Sequence, residues 1–240
     1  MTLQEIIDDS RRIVFFGGAG VSTESGIPDF RSADGLYHQK YSYPPEQIVS
    51  HSFFMRHTEE FYRFYRDKMI FPDAKPNAAH LKLAELERAG RLSCVITQNI
   101  DGLHQAAGSK NVIELHGSVH RNRCMTCGKK FPLSAITESD GIPRCSCGGV
   151  IKPDVVLYEE SLDDGDLRRS MEEIGAADTL IIGGTSLAVY PAAGLVRFFG
   201  GKHLVVINKS PISADSSAEL VINGSIGEVL GKIIVNSADQ

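Results

Sequence analysis

The chain has 240 residues, 42% of them hydrophobic and 23% charged, which fits a globular protein of one large domain, or of one large and one small domain. Its net charge of −5 argues against general binding to nucleic acid or to a membrane surface, though not against a local basic patch. Because no apolar run approaches the roughly 18 residues of a membrane span and residues 1–5 lack a signal-peptide pattern, we expect a cytoplasmic protein whose thiols stay reduced.

The first part of the chain predicts a helix, a strand and a long loop. Thr2 and Glu5 form a capping box, which predicts a short helix over residues 3–9. Residues 12–16 are an apolar run closed by two glycines, as expected for a strand that ends in a tight turn. Residues 26–45 contain Gly, Pro, Asp and Ser without periodicity, which indicates a functional loop.

The rest of the chain alternates between helical stretches and short apolar runs. One helix is predicted to begin at a cap at Asn77 and to stop at Gly90, with Leu81 among its apolar residues. Other helices are predicted over 46–71, 163–175, 190–199 and 226–235. Strands are predicted at 92–96, 112–115, 155–157, 179–182, 204–207 and 220–222. This alternation indicates an α/β fold in which helices cover both faces of a parallel sheet.

Polar residues follow two of these predicted strands. The run of Gln98, Asn99, Ile100 and Asp101 comes after the strand at 92–96, and His116 follows the strand at 112–115. Carboxyl ends of parallel strands line the ligand crevice, so these side chains should converge there. His116 is then a candidate general base, because histidine changes its charge near neutral pH. The alternative is a core histidine with internal hydrogen bonds.

A glycine-rich turn follows the first strand. Gly18, Ala19 and Gly20 would let backbone N–H groups approach a pyrophosphate, although a purely structural turn would have the same composition. The pattern departs from that of a dehydrogenase, since Thr23 replaces the third glycine and no acidic residue ends a second strand about 20 residues later. A ligand over the loop would meet the carboxylate of Asp29, the aromatic face of Phe30 and the cation of Arg31. The alternative is that these three residues form a plain turn.

Two later strand ends carry small polar residues. Gly184, Thr185 and Ser186 follow the predicted strand at 179–182, and Asn208 follows the strand at 204–207. Hydroxyl and amide groups at such positions suit hydrogen bonds to ribose and phosphate. Each of these segments could equally cap a helix.

Four of the five cysteines lie between residues 119 and 150, a stretch whose composition indicates an inserted module. Their C-x2-C and C-x-C spacing predicts a tetrahedral zinc site rather than disulfides, with ligands Cys124, Cys127, Cys145 and Cys147. Four thiolates leave no open position on the metal, so the role of the zinc should be structural. The basic excess of this stretch fits a zinc ribbon that touches nucleic acid or an ordinary solvated surface.

Taken together, these motifs resemble the sirtuins, the NAD-dependent protein deacylases. The resemblance covers residues 10–230 and rests on the glycine loop with its Gly-Ile-Pro-Asp-Phe-Arg continuation, on the Thr-Gln-Asn-Ile-Asp and His-Gly motifs, on the cysteine pairs and on the late Gly-Thr-Ser turn. It implies a Rossmann-like NAD-binding domain with a smaller zinc-ribbon plus helical domain. The implied boundaries are 1–34, 74–118 and 151–240 for the NAD-binding domain, 35–73 for the helical insertion and 119–150 for the zinc module.

The resemblance also implies a reaction and its residues. The amide oxygen of an acetyl-lysine, on a protein or peptide, would attack C1′ of the nicotinamide ribose and release nicotinamide. His116 would deprotonate a ribose hydroxyl so that the 2′ oxygen attacks the alkylamidate, and water would complete the formation of O-acetyl-ADP-ribose and free lysine. Asn99 and Asp101 would stabilise the cationic transition state. Phe30 would shield the reactive carbon, Asn208 and Ile226 would contact NAD, and Val156 and Tyr158 would line the acyl-lysine tunnel.

Two departures from the family pattern bear on the substrate. Glu159 stands where relatives often have glycine, in the segment where a peptide could pair by β-augmentation. The Tyr-x-x-Arg pair of members that remove succinyl groups is absent, because Tyr65 is third after Tyr62 and the arginine is displaced to Arg66. Acetyl is therefore the expected acyl group. Two other functions remain open: an ADP-ribosyl transferase, and a non-catalytic NAD-sensing module.

Overall fold

The computed structural model describes residues 1–29 and 43–235. The strands in these ranges are β1 (Ile13–Gly17), β2 (Leu92–Thr97), β3 (Val112–Glu114), β4 (Gly117–Cys124), β5 (Lys130–Phe131), β6 (Ile151–Val155), β7 (Thr179–Gly183), β8 (His203–Asn208) and β9 (Leu220–Asn223). The α-helices there are α1 (Leu3–Asp9), α2 (Pro45–Ile48), α3 (His51–Arg56), α4 (Thr58–Lys68), α5 (Ala78–Arg88), α6 (Leu103–Ala106), α7 (Ser134–Thr137), α8 (Asp164–Ala176) and α9 (Ile226–Gly231). Across the described ranges, no helix combines the length and apolarity that crossing a membrane requires.

Six strands form a parallel sheet in the order β3-β2-β1-β7-β8-β9. Counted along the chain, this is the 3-2-1-4-5-6 order of dinucleotide-binding folds. The order reverses between β1 and β7, and ligands of such sheets bind outside the carboxyl ends of the strands at that point. The α/β fold with a Rossmann-like parallel sheet is therefore confirmed.

The large sheet is buried on both faces, and β1 illustrates how its residues divide between them. Alternate side chains of a strand point to opposite faces. Ile13 and Phe15 pack in one core with α1, α5 and α9, whereas Val14 and Phe16 pack in a second core with α8. Every residue of β1 is buried, so the strand forms a rigid base for the turn that follows it.

A small antiparallel sheet of order β5-β4-β6 forms a second unit. Its core is aromatic and lies between the sheet and α3–α4, where ring pairs such as Phe54–Phe61 and Phe61–Tyr62 meet edge to face at centroid distances of 4.9 and 5.4 Å. Edge-to-face pairing is a favourable arrangement for aromatic rings. The core thus joins the helical insertion to the sheet that carries the cysteines.

The strand predicted at 155–157 in the parallel sheet is wrong. The strand there is β6, Ile151–Val155, and it pairs antiparallel with β4 in the small sheet. Its residues alternate between buried and half-buried, because only one face of the small sheet is covered. The apolar run that suggested a fully buried strand lies mostly after β6, where the chain leaves the small sheet.

Most predicted helices are present, with changes in length and type. The stretch 46–71 is divided among α2, α3 and α4, and the side chain of Ser50 caps α3 at the first interruption. The segment 190–199 contains a 3₁₀ helix over Ala192–Phe198, and α9 ends at Gly231. The capping box of α1 and the Asn77 cap of α5 are confirmed. Leu81 is 53% exposed and so does not belong to the buried face of α5.

Candidate active site

A cavity of about 1130 Å³ lies at the carboxyl edge of the large sheet, beside the small unit. The structure brings together there all described residues predicted for the site: Gly18, Ala19, Gly20, Thr23, Asp29, Gln98, Asn99, Ile100, Asp101, His116, Val156, Tyr158, Gly184, Thr185, Ser186, Asn208 and Ile226. Phe30 and Arg31 lie outside the described residues. The cavity spans the ends of β1, β2, β7 and β8, so it is large enough and placed correctly for a dinucleotide.

The glycine turn after β1 packs directly against the turn after β7. The N–H of Gly20 donates to the carbonyl oxygen of Gly184 at 2.8 Å. A Cβ on Gly20 would lie 2.8 Å from the Cα of Gly184, and Gly184 itself has a φ of +58°. Both positions therefore require glycine. The close contact holds two backbone turns at the switch point, where a pyrophosphate would approach them.

Ser22 connects the glycine turn to the polar run after β2. Its hydroxyl accepts a hydrogen bond from Nδ2 of Asn99 at 3.0 Å and donates to Oδ2 of Asp101 at 2.7 Å. The second carboxylate oxygen of Asp101 accepts the N–H of Leu103 at 2.9 Å, at the start of α6. The amide and carboxylate are thus held in fixed orientations at the cavity wall.

His116 is oriented by the backbone of the same run. Its Nδ1 lies 2.9 Å from the carbonyl oxygen of Gln98, which can only accept, so Nδ1 carries the proton and the neutral ring keeps a lone pair on Nε2. Burial lowers the pKa of His116 below its ordinary value, and the hydrogen bond to Gln98 only partly opposes this. The ring is therefore neutral near pH 7, which is the form that a general base requires.

Gln98 and Thr185 join the ends of β2 and β7. The amide Nε2 of Gln98 donates to Oγ1 of Thr185 at 3.0 Å, and the N–H of Leu187 donates to the same oxygen at 3.2 Å. Since the threonine oxygen accepts both bonds, its hydrogen can be donated to a ligand. Further along the edge, Nδ2 of Asn208 donates to the carbonyl of Ser210 at 2.7 Å, which fixes the turn after β8.

The segment after β6 forms the wall that faces the small unit. The N–H groups of Val156, Leu157 and Tyr158 donate to the carbonyl of His116, the carboxylate of Glu160 and the carbonyl of Val49. Because these donors are used internally, a peptide that pairs with this segment must do so through other backbone groups. Pairing of this segment with a substrate peptide remains a prediction, and it excludes these three N–H groups as donors to the peptide.

Glu159 has a φ of +75°, in the left-handed region that glycine adopts at low cost. Its carboxylate accepts the N–H of Ser52 at 2.8 Å and the hydroxyl of Ser52 at 2.9 Å. The side chain thus ties this wall to the first turn of α3. This position, where the family resemblance implies glycine, keeps a glycine-like backbone, and the glutamate adds a contact to the small unit.

Helix α4 directs its tyrosines and its arginine to different places. Tyr65 lines the cavity, and the hydroxyl of Tyr62 donates to the carbonyl of Ile151. The guanidinium of Arg66 donates to two backbone carbonyls and one hydroxyl in the zinc module, at 2.6 to 2.9 Å: Ile136, Gly141 and Ser139. Arg66 therefore points away from the cavity, as the helical spacing predicts.

Sequence reasoning missed several residues that support this site. Ser22 is 1% exposed and central to the hydrogen-bond network, yet a single serine in a glycine turn gives no distinctive signal. His80 and His104 lie behind the Asp101 turn with ring centroids 4.7 Å apart. Burial lowers their pKa values to about 4 and about 3, so both rings are neutral. The two residues are 24 positions apart in the chain, and only the packing of α5 on α6 brings them together.

The four predicted zinc ligands converge at one end of the small sheet. Their sulfur atoms all lie within 4.8 Å of one another, with 3.4 Å between Cys124 and Cys147 and 3.7 Å between Cys127 and Cys145. Zn–S bonds of about 2.3 Å in a tetrahedron require S···S separations of roughly 3.8 Å, so the cluster fits the metal. The N–H groups of Cys127 and Thr126 lower the pKa of the Cys124 thiol and favour the thiolate that binds zinc.

Comparison with known proteins identifies the family. The Sir2 family model matches residues 18–191. An NAD-dependent protein deacetylase of Clostridium acetobutylicum is 62% identical over 236 residues, which cover 97% of this chain and 96% of the relative. An NAD-dependent protein deacetylase of Clostridium perfringens is 63% identical over 236 residues, which cover 97% of each protein. A Sir2 structure with p53 peptide and NAD⁺ has a TM-score of 0.84 at 42% identity, and a Sir2 variant with deacetylated p53 peptide and 3′-O-acetyl-ADP-ribose has 0.87 at 43% identity; each pair covers 96% of both chains. The chain therefore belongs to the Sir2 family.

Proposed function

We propose that this protein is an NAD-dependent protein deacetylase, which converts NAD, an acetylated lysine and water into nicotinamide, O-acetyl-ADP-ribose and free lysine. One observation carries the proposal: His116, a neutral base with its Nε2 free of the Gln98 bond, lines the same cavity as the glycine turn and as Asn99 and Asp101, which are both hydrogen-bonded to Ser22. A module that only senses NAD needs no base. The deacetylase names of the Clostridium relatives support the same activity.

The positions of the polar groups favour one orientation of NAD in the cavity. The polar groups suited to chemistry, Asn99, Asp101 and His116, lie at the ends of β2 and β3, so the nicotinamide ribose belongs there. The glycine turns of β1 and β7 would then hold the pyrophosphate. Asn208 and Ile226, which line the cavity past β8 and at the β9–α9 turn, would hold the adenosine.

The residues near the nicotinamide ribose have distinct roles in this proposal. Bound NAD supplies an electrophilic ribose carbon whose bond to nicotinamide breaks. Asp101 and Asn99 stabilise the positive charge that develops there, and Ser22 holds both in place. His116 accepts a proton from a ribose hydroxyl at Nε2, because Nδ1 is bound to the Gln98 carbonyl. Phe30 remains the proposed shield of this carbon.

The acetyl-lysine enters from the side of the small unit. Val156 and Tyr158 line that wall of the cavity, and Tyr65 of α4 contributes to the same space. These groups suit a neutral acyl chain, since a buried carboxylate would require a charged partner. Arg66, one position beyond the arginine of the Tyr-x-x-Arg pattern, is bound to carbonyl groups of the zinc module.

Zinc has a structural role in this assignment, since four cysteines would fill its coordination sphere. The division into a NAD-binding domain (1–34, 74–118 and 151–240), a helical insertion (35–73) and a zinc module (119–150) is retained, with 117–118 and 151–155 contributing to the small sheet. A cytoplasmic location accords with this site, because free thiols persist where the medium is reducing.

One assay distinguishes the three functions. The protein is incubated with NAD and a peptide that carries one acetyl-lysine, and nicotinamide, the acetyl group and peptide mass are followed together. A deacetylase releases nicotinamide and transfers acetyl to ADP-ribose in equal amounts. An ADP-ribosyl transferase releases nicotinamide while a protein or peptide gains mass. A sensor releases none.

A further inference from the structure

Glu24 links two segments that are far apart in the chain. It lies in the 3₁₀ turn Thr23–Ser25, just after the glycine turn. Its carboxylate Oε2 accepts the N–H of Gly227 at 2.6 Å, in the first turn of α9. Hydrogen bonds to a charged acceptor are stronger than neutral ones, so this bond is a substantial constraint on both segments.

The partner position is closed by the same carboxylate. A Cβ on Gly227 would lie 2.7 and 2.8 Å from the two carboxylate oxygens of Glu24 and 2.9 Å from its carboxyl carbon. These three atoms are the nearest neighbours of that Cβ, and all belong to Glu24. A methyl group at position 227 would therefore displace the carboxylate, which makes the contact testable from both sides.

Each of the two residues joined by this bond has a chain neighbour that lines the cavity. Thr23 lines the cavity and donates its hydroxyl to the carbonyl of Gly20 at 3.1 Å, within the turn proposed to hold the pyrophosphate. Ile226 precedes Gly227 and lines the cavity at the proposed adenosine end. The bond thus fixes the distance between the pyrophosphate turn and the adenosine wall.

A second anchor holds the same turn from the other direction. Nδ2 of Asn77 donates to the carbonyl of Val21 at 2.8 Å and to the hydroxyl of Ser25 at 3.0 Å. Asn77 caps α5, and α5 packs with α9 in one hydrophobic core. Asn77 therefore ties the turn to the body of the domain, whereas Glu24 ties it to the first turn of α9 beside the cavity.

We propose that Glu24 is a positioning residue for the adenosine half of NAD, acting through Gly227 to hold Ile226 and the β9–α9 turn against the ligand. This role rests on the proposed function for the placement of NAD. The described residues that line the cavity do not include Glu24, so its effect on binding is indirect.

The first test compares three variants of the full-length, zinc-loaded protein. Glu24→Ala should raise the Kd of ADP-ribose, measured by calorimetry, and the KM of NAD by up to about tenfold, the limit reached if the whole free energy of the lost charge-assisted hydrogen bond is transferred to binding. The KM of the acetylated peptide should not change. Glu24→Gln keeps an acceptor oxygen and should restore most of the affinity. Glu228→Ala removes the neighbouring exposed acid of α9 as a matched control and should bind as wild type.

The second test is a double-mutant cycle. Gly227→Ala alone should weaken ADP-ribose binding because the methyl group displaces the carboxylate. In the Glu24→Ala background the same methyl group has room, so the two effects should be far from additive. Additive effects, or a Glu24→Ala protein that binds ADP-ribose as wild type while remaining folded, would overturn the positioning role. A wild-type protein that binds ADP-ribose but does not deacetylate would instead refute the proposed function. The double-mutant cycle could still be measured in that case, because its readout is ADP-ribose binding.

Discussion

The two sheets of this molecule are stabilised in different ways. The large parallel sheet is covered on both faces by apolar cores, and every residue of β1 and β7 is buried. The small antiparallel sheet has one aromatic core on its helical side and four thiols at one end. The buried side chains that the segment 124–149 contributes to that core are Cys124, Ile136 and Cys145, two of them predicted zinc ligands. We therefore expect this end of the small sheet to depend on bound metal where the large sheet depends on burial.

The two halves of the active site also differ, because each half is held by a different sheet. The groups proposed for chemistry are held by hydrogen bonds at the edge of the large sheet, such as Ser22 to Asp101 and His116 to the Gln98 carbonyl. The wall proposed for the acyl-lysine is made where β6 leaves the small sheet. Damage to one sheet should therefore be distinguishable from damage to the other.

Loss of zinc should have the largest effect, and it should be confined to the small unit. Cys124→Ala removes one of four ligands, and the folding free energy of a structural zinc site is on the order of 10 kcal/mol. We expect the protein to bind about one zinc per chain and the variant to lose it. In hydrogen exchange, amides of β4 and β6 should lose protection while those of β1 and β7 keep it.

The fifth cysteine provides a matched control for the zinc experiment. Cys94 is fully buried in the core of the large sheet, away from the cluster. Cys94→Ala should therefore keep a full equivalent of zinc. Fully active wild-type protein without zinc, or loss of protection throughout the large sheet on zinc removal, would contradict the proposed separation.

Loss of the base should leave both sheets intact and stop the chemistry. His116→Ala should lower the deacetylation kcat by roughly 10²–10⁴-fold, the usual contribution of a positioned acid or base. The Kd of ADP-ribose should change little, because the glycine turns and Thr185 remain in place. Thermal unfolding should resemble that of wild type.

A histidine remote from the site serves as the control for this variant. His57 lies between α3 and α4 and packs on Phe53 in the small unit. His57→Ala should keep normal turnover. A His116→Ala protein that deacetylates at a rate near that of wild type would exclude His116 as the base.

The sequence predicted the large sheet better than the small one, for a physical reason. Strands buried on both faces appear as continuous apolar runs, and β7 and β8 were placed within a residue or two. In β6 the buried residues Ile151, Pro153 and Val155 alternate with Lys152 and Asp154, so no continuous run marks the strand. The apolar residues just after it were mistaken for the strand.

The candidate site divides along a similar line. Residues in runs at strand ends, such as Gln98 to Asp101, were predicted because the strand before them predicts their position. Ser22, Glu24 and the His80–His104 pair were missed because their importance depends on partners distant in the chain. Only the packing of the helices against the large sheet reveals them.

The acyl preference should follow from the small unit, with an effect smaller than loss of the base. Succinyl-lysine brings a carboxylate that requires a cationic partner, and Arg66 is engaged with the zinc module. On one peptide, kcat/KM for acetyl should exceed that for succinyl by about tenfold or more. Arg66→Met should leave this ratio unchanged. Equal or better succinyl turnover in wild type would overturn this preference, and its loss in Arg66→Met would assign the pairing to Arg66 rather than to Lys68 of the cavity wall.

The smallest effect should come from the segment that joins the two sheets, at Glu159. Its φ of +75° costs a residue with a side chain about 1–2 kcal/mol relative to glycine, whereas its bonds to Ser52 stabilise the segment. Glu159→Ala loses the bonds and keeps the backbone cost, while Glu159→Gly loses the bonds and relieves the cost. In urea unfolding at constant zinc occupancy, the alanine variant should therefore be less stable than the glycine variant by about 1 kcal/mol. The glycine variant should lie within about 1 kcal/mol of wild type, because the relief of strain offsets the lost hydrogen bonds. Equal stability of the two variants would mean that the backbone at position 159 carries no strain, and an alanine variant as stable as wild type would mean that the bonds to Ser52 do not stabilise the segment.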